Sequence, residues 1–175
     1  MAYYPFNGNA IDSSGNNYHG NLIGGSFGED EDGNPDAALH LNGVNEYVNL
    51  SEFAIPYRNS LNRISIYFKV KFEKTENNQT ILSLGNSGEN LETNVFEIEY
   101  ENNRLQIESE TGNNAMNHEL EIDQANSLFD GQWHQILILI NGDSLTYCKD
   151  NEEIYNGLYT PVSYTHLTLP TTPYV

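Results

Sequence analysis

Basic residues are scarce in this chain: 7 Lys and Arg stand against 25 Asp and Glu, a formal net charge of −18 over 175 residues. A phosphate-binding surface needs a basic footprint, so this shortage excludes nucleic acid as a partner. It also excludes attraction to an anionic membrane surface. Cys148 is the only cysteine, so no intramolecular disulfide can form and the redox compartment is not readable from thiols. Its position inside a strand pattern predicts a buried core thiol rather than a reactive one. No apolar run approaches the ~18 residues of a membrane helix, which argues against membrane insertion. Met1 abuts the first aromatic segment with no signal-peptide pattern before it, so the chain is expected either to be cytosolic or, as the better reading, to have lost its true N-terminus. Amphipathic helical periodicity of useful length is also missing.

What remains is strand patterning on a length that suits one domain with a core of its own. Arg63 to Phe72 alternates Ile64, Ile66, Phe68, Val70 and Phe72 with mostly polar residues, predicting one buried and one wet face. Thr80 to Leu84, Asn94 to Tyr100 and Arg104 to Glu108 continue as a meander, with Asn102-Asn103 as a tight turn. Gln132 to Ile140 is apolar on both phases from Ile136 onward, which predicts a central strand covered on two sides. Ser144 to Lys149 and Glu152 to Tyr155 predict a hairpin across Asp150-Asn151, and Ser51 to Ile55 a short helix. Many short strands, Asn/Gly turns and almost no helix give an all-β sandwich or jelly roll.

The densest local chemistry lies at the start. The aromatic segment Tyr3-Tyr4-Pro5-Phe6, read as a strand, runs into a loop holding Asn7, Asn9, Asp12, Ser13, Ser14, Asn16, Asn17 and His19, with glycines at 8, 15 and 20. Oxygen-only ligands on a tight loop suit a hard cation such as calcium. A polar turn whose Asx side chains satisfy their own backbone fits the same residues.

Three separated motifs carry a family resemblance: the AYYPFNGNA-x-D-x-SGN run from Ala2, the ALHLNGVNEYVNL run from Ala38 to Leu50, and LFDGQWHQILILINGDSLTYCKDNEEI from Leu128 to Ile154. Together, in that order, they resemble the laminin-G/pentraxin-like jelly-roll domains of the concanavalin A-like superfamily. The resemblance covers roughly residues 2–161. It implies a concanavalin A-like jelly-roll sandwich of two antiparallel sheets over residues 1–161, truncated at both ends and cut from a larger extracellular or cell-surface protein. The implied work is non-catalytic binding or adhesion toward a glycan or protein ligand, beside other domains of the same parent chain. A structural Ca2+ at the rim is also implied, with Asp12 as the matching loop aspartate and Asn17 and carbonyls around His19 completing an oxygen shell. Asn45, Glu46 and Asn151 depart from the family pattern, which usually has an acidic pair and a hairpin glycine at these places.

Residues 162–175 read differently. They contain no Asp, Glu, Lys or Arg, and residues 162–171, VSYTHLTLPT, match the translated transposon-end adapter of sequencing libraries. They are expected to be a non-native, adapter-derived tail in place of the family's closing C-terminal strand.

Two constellations invite an enzymatic reading. The same superfamily contains glucanases with an E-x-D-x-x-E strand, and Glu121 and Asp123 match its first two positions, but the acid/base position is Asn126. A retaining glycosidase needs two carboxyls, one of them protonated at working pH, and asparagine supplies neither acid nor base. A divergent glycoside hydrolase is therefore the alternative rather than the main reading, together with a ligand-free spacer; no catalytic residues are assigned. In Asp130-Gly131-Gln132-Trp133-His134, Trp133 is expected to anchor the core, and no Ser/His/Asp signature supports His134 as a base. Asn49-Leu50-Ser51 and Asn78-Gln79-Thr80 fit the glycosylation acceptor pattern, which chance alone produces in a chain with 25 asparagines.

Overall fold

The computed structural model describes residues 1–50, 63–72, 79–84, 95–101, 104–110, 118–122, 128–142 and 144–158. The expected helix at 51–55, the turn at 102–103, Asp123, Asn126, Asn78 and the tail lie outside the described residues. Among the described residues there are strands and turns but no α-helix. In chain order the strands are β1 (Asn21–Ile23), β2 (Ser26–Gly28), β3 (Ala38–His40), β4 (Tyr47–Asn49), β5 (Arg63–Lys71) and β6 (Gln79–Leu84). There follow β7 (Val95–Glu101), β8 (Arg104–Glu110), β9 (His118–Ile122), β10 (Trp133–Asn141), β11 (Ser144–Lys149) and β12 (Glu152–Leu158).

Two antiparallel four-stranded sheets carry the architecture. The first has the order β12-β11-β10-β5, the second the order β6-β7-β8-β9. Two short ladders, β1 with β4 and β2 with β3, complete the pairing. The chain enters the first sheet at β5, builds the whole second sheet as a meander, then returns to the first through β10. Period-2 alternation explains why the sheets face each other. From the second sheet Ile98, Tyr100, Leu105 and Ile107 point inward, and from the first Ile136, Ile138, Ile140, Leu145 and Tyr147; they merge in one buried core. Ile64, Ile66, Phe68 and Val70 of β5, and Phe72 just after it, pack against that core as the pattern predicts. Phe129 closes the core at one end, stacked on Phe72 at 4.8 Å between ring centroids and lying 3.7 Å from Tyr100. The fold is an all-β sandwich.

Several local expectations change. β10 is central, between β5 and β11, yet only one of its faces is buried. The other face is half-buried, and Leu139 on it is 36% exposed. Trp133 falls on that outer phase, opposite Lys71, and His134 takes the inward position instead. Trp133 therefore does not anchor the core; the Phe72–Phe129–Tyr100 stack does. Cys148 pairs with Leu137 on the same outer face and is half-buried rather than a core thiol. Tyr3 to Phe6 form no strand. Pro5 has no N–H to give a ladder, Phe6 sits at φ 57°, and the Tyr3 N–H is already donated to a side chain.

Candidate functional site

Two of the polar constellations among the described residues involve the residues that the sequence singles out. The first is the N-terminal loop. Asp12 is 4% exposed. Its Oδ1 accepts from the Tyr3 N–H at 2.9 Å and the Ser14 N–H at 2.8 Å. Its Oδ2 accepts from the Ser14 hydroxyl at 2.9 Å and the Tyr18 N–H at 3.0 Å. The Asp12 N–H in turn donates to His19 Nδ1 at 3.2 Å. Burial alone would raise the Asp12 pKa, but the N–H bonds from Tyr3, Ser14 and Tyr18 and the Ser14 hydroxyl outweigh it, holding the carboxyl well below the usual range. The loop is also bolted outward: the Tyr4 hydroxyl donates to the Tyr18 carbonyl at 2.6 Å, and the Gly20 N–H to the Ala10 carbonyl at 2.8 Å. Gly20 packs so closely that a Cβ there would lie 2.6 Å from Val48 Cγ1.

The Asp12 carboxylate is already fully engaged. All four bonds on Asp12 come from N–H or O–H donors, whose hydrogens occupy the lone pairs a cation would need. Asn17 is exposed and takes φ 60°, and His19 serves Asp12 as an acceptor. Among the described residues no three His, Cys, Asp or Glu side chains gather to hold a metal. The arrangement at Asp12 does not fit a calcium ion. It fits an anionic knot that ties residues 3, 14 and 18 together. Asp12→Ala is therefore expected to lower the melting temperature by roughly 5 °C and to open residues 1–20 to limited proteolysis. Unchanged protease resistance would show that the loop holds itself without the knot.

The second constellation centres on His134, 7% exposed. Nδ1 lies 2.8 Å from Asp150 Oδ2 and Nε2 3.1 Å from Asp130 Oδ1. Each aspartate also serves its own turn: Asp130 Oδ1 accepts from the Gln132 N–H at 2.8 Å, and Asp150 Oδ1 from the Gln135 N–H at 2.9 Å. The Asp150 N–H donates back to the Gln135 carbonyl at 2.9 Å. Asp150 and Asn151 both take positive φ, 51° and 67°, which makes a two-residue type I′ turn of the hairpin that the sequence predicts across them. Asn151 occupies its left-handed position without a glycine. At the other side Gly131, at φ 77°, donates its N–H to the Phe72 carbonyl at 3.2 Å.

His134 therefore has two orienting carboxylates, more than a catalytic base needs. It points into the sandwich beside Ile136, with no serine or cysteine at its ring nitrogens; both are taken by aspartates. Chemically the arrangement is a clamp joining the turn before β10 to the hairpin after β11. Glu121 lies in β9, opposite Gln106 of β8.

No family model matches the chain, nor does any curated protein.

Proposed function

We propose that this chain is a non-catalytic binding module of laminin-G/pentraxin-like jelly-roll type, part of a larger extracellular or cell-surface protein, and that it takes its glycan or protein ligand on the outward face of the first sheet. The observation that carries this reading is the exposure of Tyr67, 58%, in the middle of β5. It stands opposite Leu137, with Leu139 and the 67% exposed Leu158 on the same face. A solvated sheet face normally alternates to polar residues; this one presents an aromatic ring and aliphatic side chains instead. Arg63, Lys69 and Lys71 share that phase of β5, three of the seven basic residues of an acidic chain. A phenol ring offers a flat apolar surface with a polar tip, suited to a sugar ring or an apolar anchor of a protein. The cations beside it favour ligands with negative charge. Lys69 is held in place by Glu31 from the β2–β3 turn, which raises its pKa.

Screening against immobilised glycans and candidate protein ligands tests the reading. Tyr67→Ser is expected to abolish capture of whatever binds, while changing stability by less than about 0.5 kcal/mol, as an exposed substitution does. Binding that survives Tyr67→Ser and Leu139→Ser would move the ligand off this face. A screen with no capture at all would favour a ligand-free spacer.

A further inference from the structure

The outward face of the second sheet carries a polar row that ligand recognition on the first sheet does not use. Leu105 and Ile107 point into the core at 1% and 0% exposure, so alternation sends Gln106 to the opposite face. Glu97 and Glu99 go outward for the same reason, since Ile98 and Tyr100 lie in the core. The register sets Thr80 of β6 opposite Glu99 of β7, and Glu99 opposite Gln106 of β8. Ser83 stands opposite Glu97 in the neighbouring row. Opposed residues are about 5 Å apart and same-face rows about 7 Å apart.

Hydrogen bonding leaves this row with acceptors to offer and few donors. The Thr80 hydroxyl donates to Glu99 Oε1 at 2.8 Å and the Ser83 hydroxyl to Glu97 Oε1 at 2.6 Å. Each hydroxyl has a single proton, so both are spent on the glutamates, and carboxylates only accept. Apart from the Gln106 amide N–H groups, nothing else in the row donates. Gln106 supplies a second, independent observation. It is only 6% exposed, and its Oε1 is buried without a hydrogen-bond partner. Buried polar atoms are nearly always paired, and an orphan calls for an explanation. Thr80 has given its proton to Glu99, and the Glu99 carboxylate has none to give. The missing donor must come from outside the row.

We propose that the outward face of β6, β7 and β8 binds an arginine side chain of a basic polypeptide partner, the guanidinium set between Glu99 and the Oε1 of Gln106, with Glu97 beside it. A guanidinium is the chemical complement of this row: planar, always charged, with five N–H donors in a rigid fork and no acceptor. One edge meets the Glu99 carboxylate while another N–H reaches the amide oxygen. A neutral sugar fits less well, because its hydroxyls bring acceptors to a row that has few donors to return. A lysine ammonium brings the charge without the planar fork that spans two residues. The Thr80–Glu99 bond is exposed to solvent, and exposed side chains change rotamer within nanoseconds. The entering group therefore draws Glu99 with it and opens a way to the amide oxygen. At long range the net charge of −18 steers a basic partner toward the molecule. This surface is separate from the first-sheet face and stands independently of the ligand reading above.

Calorimetric titration and backbone NMR with the synthetic peptide GRGRG, its lysine counterpart GKGKG and maltohexaose, at ~0.15 M salt to screen diffuse attraction, test it. Saturable binding of GRGRG is expected, with shifts centred on Thr80, Ser83, Glu97, Glu99 and Gln106. Glu99→Gln and Gln106→Leu should each weaken it about tenfold or more, as loss of a hydrogen bond to a charged group does. Gln106→Leu leaves the net charge unchanged, so diffuse attraction cannot explain its effect. It should also melt at or above the wild-type temperature, since it removes an orphaned acceptor. Asp36→Asn, which removes an exposed charge elsewhere, should change binding by less than about twofold. No saturation at millimolar GRGRG would overturn the proposal. So would equal affinity for GKGKG, tighter binding of maltohexaose, or binding that survives both Glu99→Gln and Gln106→Leu. A loss in Asp36→Asn as large as in Glu99→Gln would reduce the effect to net charge and overturn it too.

Discussion

Ile138→Ala is expected to lower the unfolding free energy by about 3–4 kcal/mol. Ile138 is fully buried at the centre of β10, opposite Ile66 of β5 and Tyr147 of β11. It belongs to the core that Ile98 and Ile107 close from the other sheet. Truncation removes three carbons from a site bounded by hydrogen-bonded ladders on both sides. Ladders of that kind cannot collapse into the gap, so a cavity term adds to the lost transfer energy. Its neighbour Leu139, on the outer phase and 36% exposed, supplies the contrast: Leu139→Ala should cost less than about 1 kcal/mol. Urea unfolding with an unchanged m-value measures both. Equal costs at the two positions would mean that β10 buries both faces, as its apolar sequence alone suggests.

That contrast marks where the sequence could and could not be read. The pattern from Arg63 to Phe72 has polar residues on one phase, so its inward face is legible without a structure. From Ile136 onward β10 is apolar on both phases, and period 2 alone cannot say which phase faces the core. For Trp133 and Cys148, size and hydrophobicity suggest the interior, but strand phase decides, and it sends both outward. His134 takes an inward position that hydrophobicity would never give it, because Asp130 and Asp150 satisfy both ring nitrogens. One of those partners is 16 residues away, beyond any local pattern. The Asp150-Asn151 turn, by contrast, is local chemistry and was legible. Asp12 was legible as the centre of a polar loop. Whether its oxygens meet a cation or N–H groups depends on how the backbone of residues 3, 14 and 18 is aimed, which composition does not encode.

His134→Ala is expected to cost about 2–3 kcal/mol and to flatten the acid limb of the stability profile. In Asp130 the Gln132 N–H and the His134 ring hold the pKa below its ordinary 3.8 against the effect of burial. For Asp150 burial alone would raise it, but the Gln135 N–H and then His134 outweigh that and lower it. A carboxylate whose folded pKa is depressed contributes stability that is fully present above its unfolded value and is lost as pH falls through its folded value. The wild-type protein should therefore lose this contribution below pH ~4. Removing His134 takes away part of the depression at both aspartates while leaving the Gln132 and Gln135 N–H bonds in place. The variant should accordingly start less stable near neutrality and fall less steeply in acid, the two curves converging toward low pH. Urea midpoints measured across that range decide it. A constant offset at every pH would show that His134 contributes by packing alone, and the clamp linking the turn before β10 to the hairpin after β11 would carry no charge.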